Sequence, residues 1–162
     1  MPLFRSLRRR NGAGFRGTAS ECVRRLAVEV PGALRRAKEA GLHLFTLTDN
    51  TAAISGRQLT HGGTVDLFDR RFSVDDAAKR HKPALAAYAE ATGALGASPS
   101  GMCLAACHTW DTIRAQAAGR DAALIQRANN DVLDTASQQQ YVGKDFNVIA
   151  DKITARNGSA PG

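Results

Sequence analysis

Residues 31–50 read PGALRRAKEAGLHLFTLTDN, and this stretch decides the fold. Pro31 suits the first turn of a helix, where its missing N–H costs nothing. Ala33, Leu34, Ala37 and Ala40 recur at helical spacing, which leaves Arg35, Arg36, Lys38 and Glu39 to face water. Gly41 stands where a helix stop is usual. Residues 42–47 (LHLFTL) then predict a buried strand, with Thr48-Asp49-Asn50 at its end. A helix, a stop and an apolar strand in so short a span set the rhythm of an α/β chain.

The rhythm continues downstream. Residues 51–60 are expected to be helical and to end at His61-Gly62-Gly63, and residues 71–74 to form a short strand. A helix over 83–95 again has Pro at its start. Residues 102–106 (MCLAA) predict a strand, 111–118 a helix closed by Gly119, and 122–125 another strand. Val142 adds a short fifth strand, 145–153 form the last helix, and 154–162 form a disordered tail. Strands alternating with helices through short connections predict a three-layer, Rossmann-like α/β fold with a parallel sheet covered on both faces. In such sheets the chemistry sits beyond the carboxyl ends of the strands.

Composition narrows the classes. The chain has 162 residues, 43% hydrophobic and 23% charged, which suits one globular domain. The net charge of +7 is confined to one end: residues 1–40 carry ten Arg or Lys against three Glu, and the rest is balanced. The body therefore gives no basic surface that would call for nucleic acid, and none is expected as a partner. Residues 1–30 read as a basic, largely irregular arm, with residues 1–19 expected to be mobile. Other readings of the arm are an anchor for nucleic acid or an anionic membrane, or an Arg-rich targeting segment. Gly12 to Gly17 match G-x-G-x-x-G, but Arg8-Arg9-Arg10 before them cannot be the buried strand that a dinucleotide site requires. No apolar run is long enough for a membrane span. Three cysteines make no disulfide framework, so a reducing, cytoplasmic setting is expected.

The strand ends hold the candidate site. Thr48-Asp49-Asn50 suits either a helix cap or the grip on an anionic substrate. Lys82, in KRHKP, lies before Pro83 and is expected to be extended, free to project into a cleft or to stay in a solvated basic loop. Asp111, in CHTWD, is either the cap of the next helix or a carboxylate facing Lys82 and Thr48. Trp110 is expected to pack against that helix. Cys103, Cys107 and His108 lack the paired spacing of a zinc site, so no metal ligand is assigned. His43 and His61 read as packing and loop residues.

In order and spacing, LFTLTDN, LFDRRFSVDDAAKRHKPALAAY and MCLAACHTWDTIRAQAAGRDAALI resemble the haloacid dehalogenase superfamily, more narrowly its type II L-2-haloacid branch. The likeness runs from about Pro31 to Ile153, and residues 31–153 are taken as a partial core domain. It implies that Lys82 and Asp111 are catalytic. Lys82 would stabilise a nucleophilic carboxylate, and Asp111 would support the hydrolytic step or orient Lys82. It implies that Thr48, Asp49 and His108 lie at the substrate and water sites. The reaction implied is hydrolysis of a carbon–halogen bond in a small 2-haloacid through an aspartyl ester. The dehalogenase branch implies no cofactor, whereas the phosphatase branch would bring magnesium.

The chain also departs from the family. The strand that ends in the D-x-x-x-[ST] nucleophile motif and the cap domain after it are not found, so a truncated, inactive protein is expected. Asp49 replaces the usual Asn and would repel a carboxylate substrate. Ala106 stands where many members have Ser. Without the nucleophile strand, the strands over 42–47 and 102–106 must pair with each other or leave a gap. Residues 26–30 (LAVEV) are a candidate to fill that gap. A non-enzymatic binding module that uses the arm, and a metal-dependent phosphatase-like protein, are the competing classes.

Overall fold

Helix α1 (Val30–Glu39) opens the fold, with Pro31 in its first turn and Val30, Ala33, Leu34 and Ala37 buried along one stripe. Gly41 adopts a φ of +83°, a left-handed turn that residues with a Cβ resist. The chain then enters β1 (Phe45–Leu47), crosses through α2 (Ala52–His61), and returns as β2 (Arg70–Phe72), parallel to β1. Helix α3 (Leu85–Leu95) leads to β3 (Cys103–Ala106), α4 (Thr109–Ala117), β4 (Asp121–Ile125), β5 (Tyr141–Gly143) and α5 (Phe146–Gly158). The computed structural model describes residues 27–73, 75, 80–127 and 130–158. Most of the basic arm, residues 1–26, lies outside them, and so does the mobility expected of residues 1–19.

All strand pairs are parallel, as the alternation predicts. The strands form two sheets, β1-β2 and β3-β4-β5. Of the two outcomes expected for the first and third strands, pairing with each other is not what the structure has: among the described residues, β1 and β3 do not pair. Of the candidate stretch 26–30, the described residues 27–30 form no strand, because Val30 starts α1 and Glu29 precedes it in helical geometry, and Leu26 lies outside the described residues.

Side chains alternate between two cores, as pleating requires. On one face, Cys103 and Ala105 of β3 pack toward α1 and α5 through Leu34, Phe146 and Ile149. On the other, Leu104 and Ala106 join Leu47, Phe72, Tyr88, Ala91 and Ala115, burying α3 and α4. Each face of both half-sheets thus carries helices, the arrangement of a three-layer fold.

Element ends differ in places from the sequence reading. Leu42, His43 and Leu44 precede the ladder, since Leu44 gives its N–H to the Asp69 carboxylate at 2.9 Å. Helix α3 begins at Leu85 and not at Pro83. Helix α5 continues past Ile153 to Gly158. No helix of the described residues is long and apolar enough to cross a membrane.

Candidate active site

β1 and β3 end at the same place. After β1, Thr48 accepts a hydrogen bond from the Asn50 N–H at 3.2 Å, which closes a tight turn. Asn50 in turn donates its side-chain amide to Gln58 of α2 at 3.2 Å. Asp49 accepts the backbone N–H of Lys82 at 2.8 Å, clamping the loop before α3 to the end of β1. Capping is not the task of this triplet: Thr51 caps α2, and Asp75 also accepts the Ala52 N–H at 2.9 Å.

Lys82 stands outside α3 in a turn, where the Lys82–Pro83 peptide is cis. Its Nζ meets Asp111 Oδ2 at 2.8 Å, and the two side chains are only 1% and 0% exposed. Asp111 sits in the first turn of α4, whose N-cap residue is His108, so its carboxylate is not spent on capping. Instead its Oδ1 accepts the Tyr88 hydroxyl at 2.6 Å. Ammonium, carboxylate and phenol thus form one buried chain across the start of α3 and α4. Burial, and then the neighbouring Asp111 charge, push the Tyr88 phenol well above its ordinary value. It stays protonated and remains a donor. Arg114 donates to the Pro83 carbonyl at 3.0 Å and fixes the loop from the α4 side.

Above the buried pair lies an aromatic rim. The Trp110 ring centroid is 5.8 Å from Lys82 Nζ, within cation–π range. His108 stacks on the same ring at 5.6 Å. Trp110 is 42% exposed, so it is a surface lip and not the packing residue that its sequence position suggested. His81 Nδ1 lies 3.9 Å from Asp49 Oδ1 at the open side.

The structure therefore gathers Lys82, Asp111 and Asp49 by direct bonds, and brings Thr48 and His108 to the same end. Sequence reasoning passed over Tyr88. The available signal was a tyrosine in the Ala-rich run ALAAYAEA, because a buried phenol needs a partner for its hydroxyl. Among the described residues, no three His, Cys, Asp or Glu side chains gather as a metal site.

A cavity of about 590 Å³ is not lined by this cluster. It runs beneath it, between β1 and β3, toward His43 and Met102 at the opposite ends of those strands.

The fold is similar to that of known proteins. No family model matches the chain. A curated (S)-2-haloacid dehalogenase from Pseudomonas sp. (strain YL) is 32% identical over 120 residues, covering 73% of this chain and 51% of that protein. The chain thus spans about half the length of this relative. The crystal structure of the L-2-haloacid dehalogenase RSc1362 superposes with a TM-score of 0.77 at 25% identity, over 83% of this chain and 59% of that one. An L-2-haloacid dehalogenase from Xanthobacter autotrophicus, solved with chloropropionic acid covalently bound, gives 0.70 at 20% identity, over 82% and 61%.

Proposed function

Because the chain has the fold of the haloacid dehalogenases and a sequence relative among them, we propose that its strand-end cluster is the half of a 2-haloacid hydrolase site that binds and stabilises charge. The observation that carries this reading is the buried Lys82–Asp111–Tyr88 chain at the common end of β1 and β3. In this role Asp111 and Tyr88 hold Lys82 in place. The Lys82 charge then favours a carboxylate, and the halide charge that develops, in the space below Trp110. Thr48 and the Asn50 turn position the anion, and His108 stands on the water side.

The half that attacks is not among the described residues. A covalent route needs a carboxylate within roughly 3–3.5 Å of the reacting carbon. Asp111 is bonded through both oxygens. Asp49 is clamped to the Lys82 N–H. The phosphatase-like alternative needs a magnesium donor set, and no three His, Cys, Asp or Glu side chains gather as one among the described residues.

The test is a pair of measurements on the whole chain. Given 2-chloropropionate, it is expected to release no chloride but to bind the acid, read as saturable quenching of Trp110. Asp49→Asn removes a like charge from the anion site, which should tighten binding about fivefold, the size of a ~1 kcal/mol charge–charge term in water. Steady chloride release that vanishes in Asp49→Asn would make Asp49 a relocated nucleophile and overturn the reading. Quenching that ignores this substitution would overturn it too.

A further inference from the structure

We propose that His81 is a specificity-determining residue of the strand-end site: when protonated, its imidazole offsets the charge of Asp49, so that a carboxylate substrate enters together with one proton. This rests on the 2-haloacid reading of the site and adds a residue that the sequence resemblance does not assign.

Asp49 is the obstacle that His81 answers. A carboxylate here repels an anionic substrate, and the nearby ammonium is already matched: Lys82 Nζ meets Asp111 Oδ2 at 2.8 Å, with both side chains buried. What Asp49 takes from Lys82 is its backbone N–H, at 2.8 Å, which carries no full charge. Among the described residues, the side chain paired with Asp49 is His81, whose Nδ1 lies 3.9 Å from Asp49 Oδ1. That distance is too long for a hydrogen bond and suits an interaction between charges. The side chains are 68% and 34% exposed, so the pair stands at the open side, where an anion arrives from solvent. The His81 backbone is fixed on both sides. Its carbonyl accepts the Ala84 N–H at 3.0 Å, and the next peptide N–H is the one that Asp49 holds.

An imidazole changes charge between about pH 5 and 8, so the compensation is conditional. Other charged groups at this corner do not supply it. Asp111 is matched by Lys82, Tyr88 stays protonated, and Arg114 Nε donates to the Pro83 carbonyl at 3.0 Å. Asp75 accepts the Ala52 N–H at 2.9 Å and adds negative charge on the α2 side. Arg80 adjoins His81 in the chain, and a guanidinium keeps its charge throughout this range. His108 stacks on Trp110 at 5.6 Å, so a second imidazole lies at this end and substitution must tell the two apart. By linkage, a bound anion favours protonated His81 as much as protonated His81 favours the anion, and binding draws one proton from solvent onto the imidazole.

Dissociation constants for 2-chloropropionate are measured on the full chain by ligand-observed NMR, at the two ends of the range from about pH 5 to 8. The acid is ionised at both. The native chain is expected to bind about fivefold more tightly at the acid end, the worth of one charge about 4 Å away in water. His81→Gln should bind weakly at both ends, and His81→Lys tightly at both. A merely structural histidine would be rescued neither by acid nor by lysine. A pH dependence that survives in His81→Gln would assign the proton to His108 or Asp49 and overturn the inference. A His81→Lys chain that binds no better than His81→Gln would overturn it too. Both of these results leave the reading of the site standing. Binding by none of the three proteins at either end would overturn that reading, and this inference with it.

Discussion

Lys82 and Asp111 form an ion pair buried from water, and each other, Tyr88 and the Trp110 ring offset the desolvation. Such a pair adds little net stability, yet breaking it is costly because one charge is left behind. Lys82→Met is expected to destabilise the chain by about 3–5 kcal/mol, and so is Asp111→Leu. The double variant should recover much of that loss, since it buries no lone charge. Tyr88→Phe removes one hydrogen bond to a charged group and should cost about 1.5–3 kcal/mol. Urea unfolding of the four variants checks this. Single substitutions that cost nothing, or a double variant as weak as the sum of the singles, would mean that the pair is solvated and not a buried device for holding Lys82.

At the scale of elements, the junction of β5 and α5 is closely packed around Gly143. A Cβ at Gly143 would lie 2.9 Å from Val148 Cγ1 and 3.1 Å from both Val148 Cβ and Ile149 Cδ1. Val148 is β-branched and cannot swing aside at χ1 without a penalty. Gly143→Ala is therefore expected to cost about 1–3 kcal/mol by overpacking, visible as a lower melting temperature, whereas Gly32→Ala, with nothing within 4 Å, should not. A neutral Gly143→Ala would show that α5 is not held against β5. Sequence and structure agree best where local chemistry decides the element. Pro31 and Gly41 bracket α1 in the text as in space, and the apolar runs around β1, β3 and β4 were legible. That β1 and β3 either pair or stand apart was legible, but which of the two holds was not. What could not be read depends on partners distant in the chain. Leu42 to Leu44 look like strand, but β2 is only three residues long and Asp69 takes the Leu44 N–H instead. Thr48-Asp49-Asn50 looks like a cap, but Thr51 and Asp75 serve α2. Tyr88 looks like core until Asp111 is brought beneath its hydroxyl.

Across the whole molecule, ion pairs fasten the ends of α1 to the sheet layers, and buried neutral acids lie between the layers. Glu29 pairs with Arg127 beyond β4. Burial opposes the ionisation of Glu29, but the Arg127 hydrogen bond and charge outweigh it and hold the carboxyl below its ordinary 4.5. At the other end of α1, Lys38 and the Leu44 N–H hold the Asp69 carboxyl below 3.8. For both, the unfolded chain binds protons more tightly than the folded one. Their stabilisation is complete above the ordinary carboxyl values and is lost as pH falls through the lowered ones. The buried acids act in the opposite sense. Burial, and then the Asp121 charge, push the Cys103 thiol from 9.0 up to about 12. Tyr88 is raised above its ordinary 10.0 by burial and Asp111. Here the folded chain binds the proton more tightly, so stability is intact below pH 9 and declines as pH rises toward 12. The urea midpoint is therefore expected to be flat from about pH 5 to 9 and to fall on both sides. High salt should trim the contribution of the exposed Lys38–Asp69 pair to the acid limb more than that of Glu29–Arg127. Cys103→Ala should soften the alkaline limb without moving the acid one. A midpoint that climbs below pH 4, or an alkaline limb unchanged by Cys103→Ala, would contradict this account.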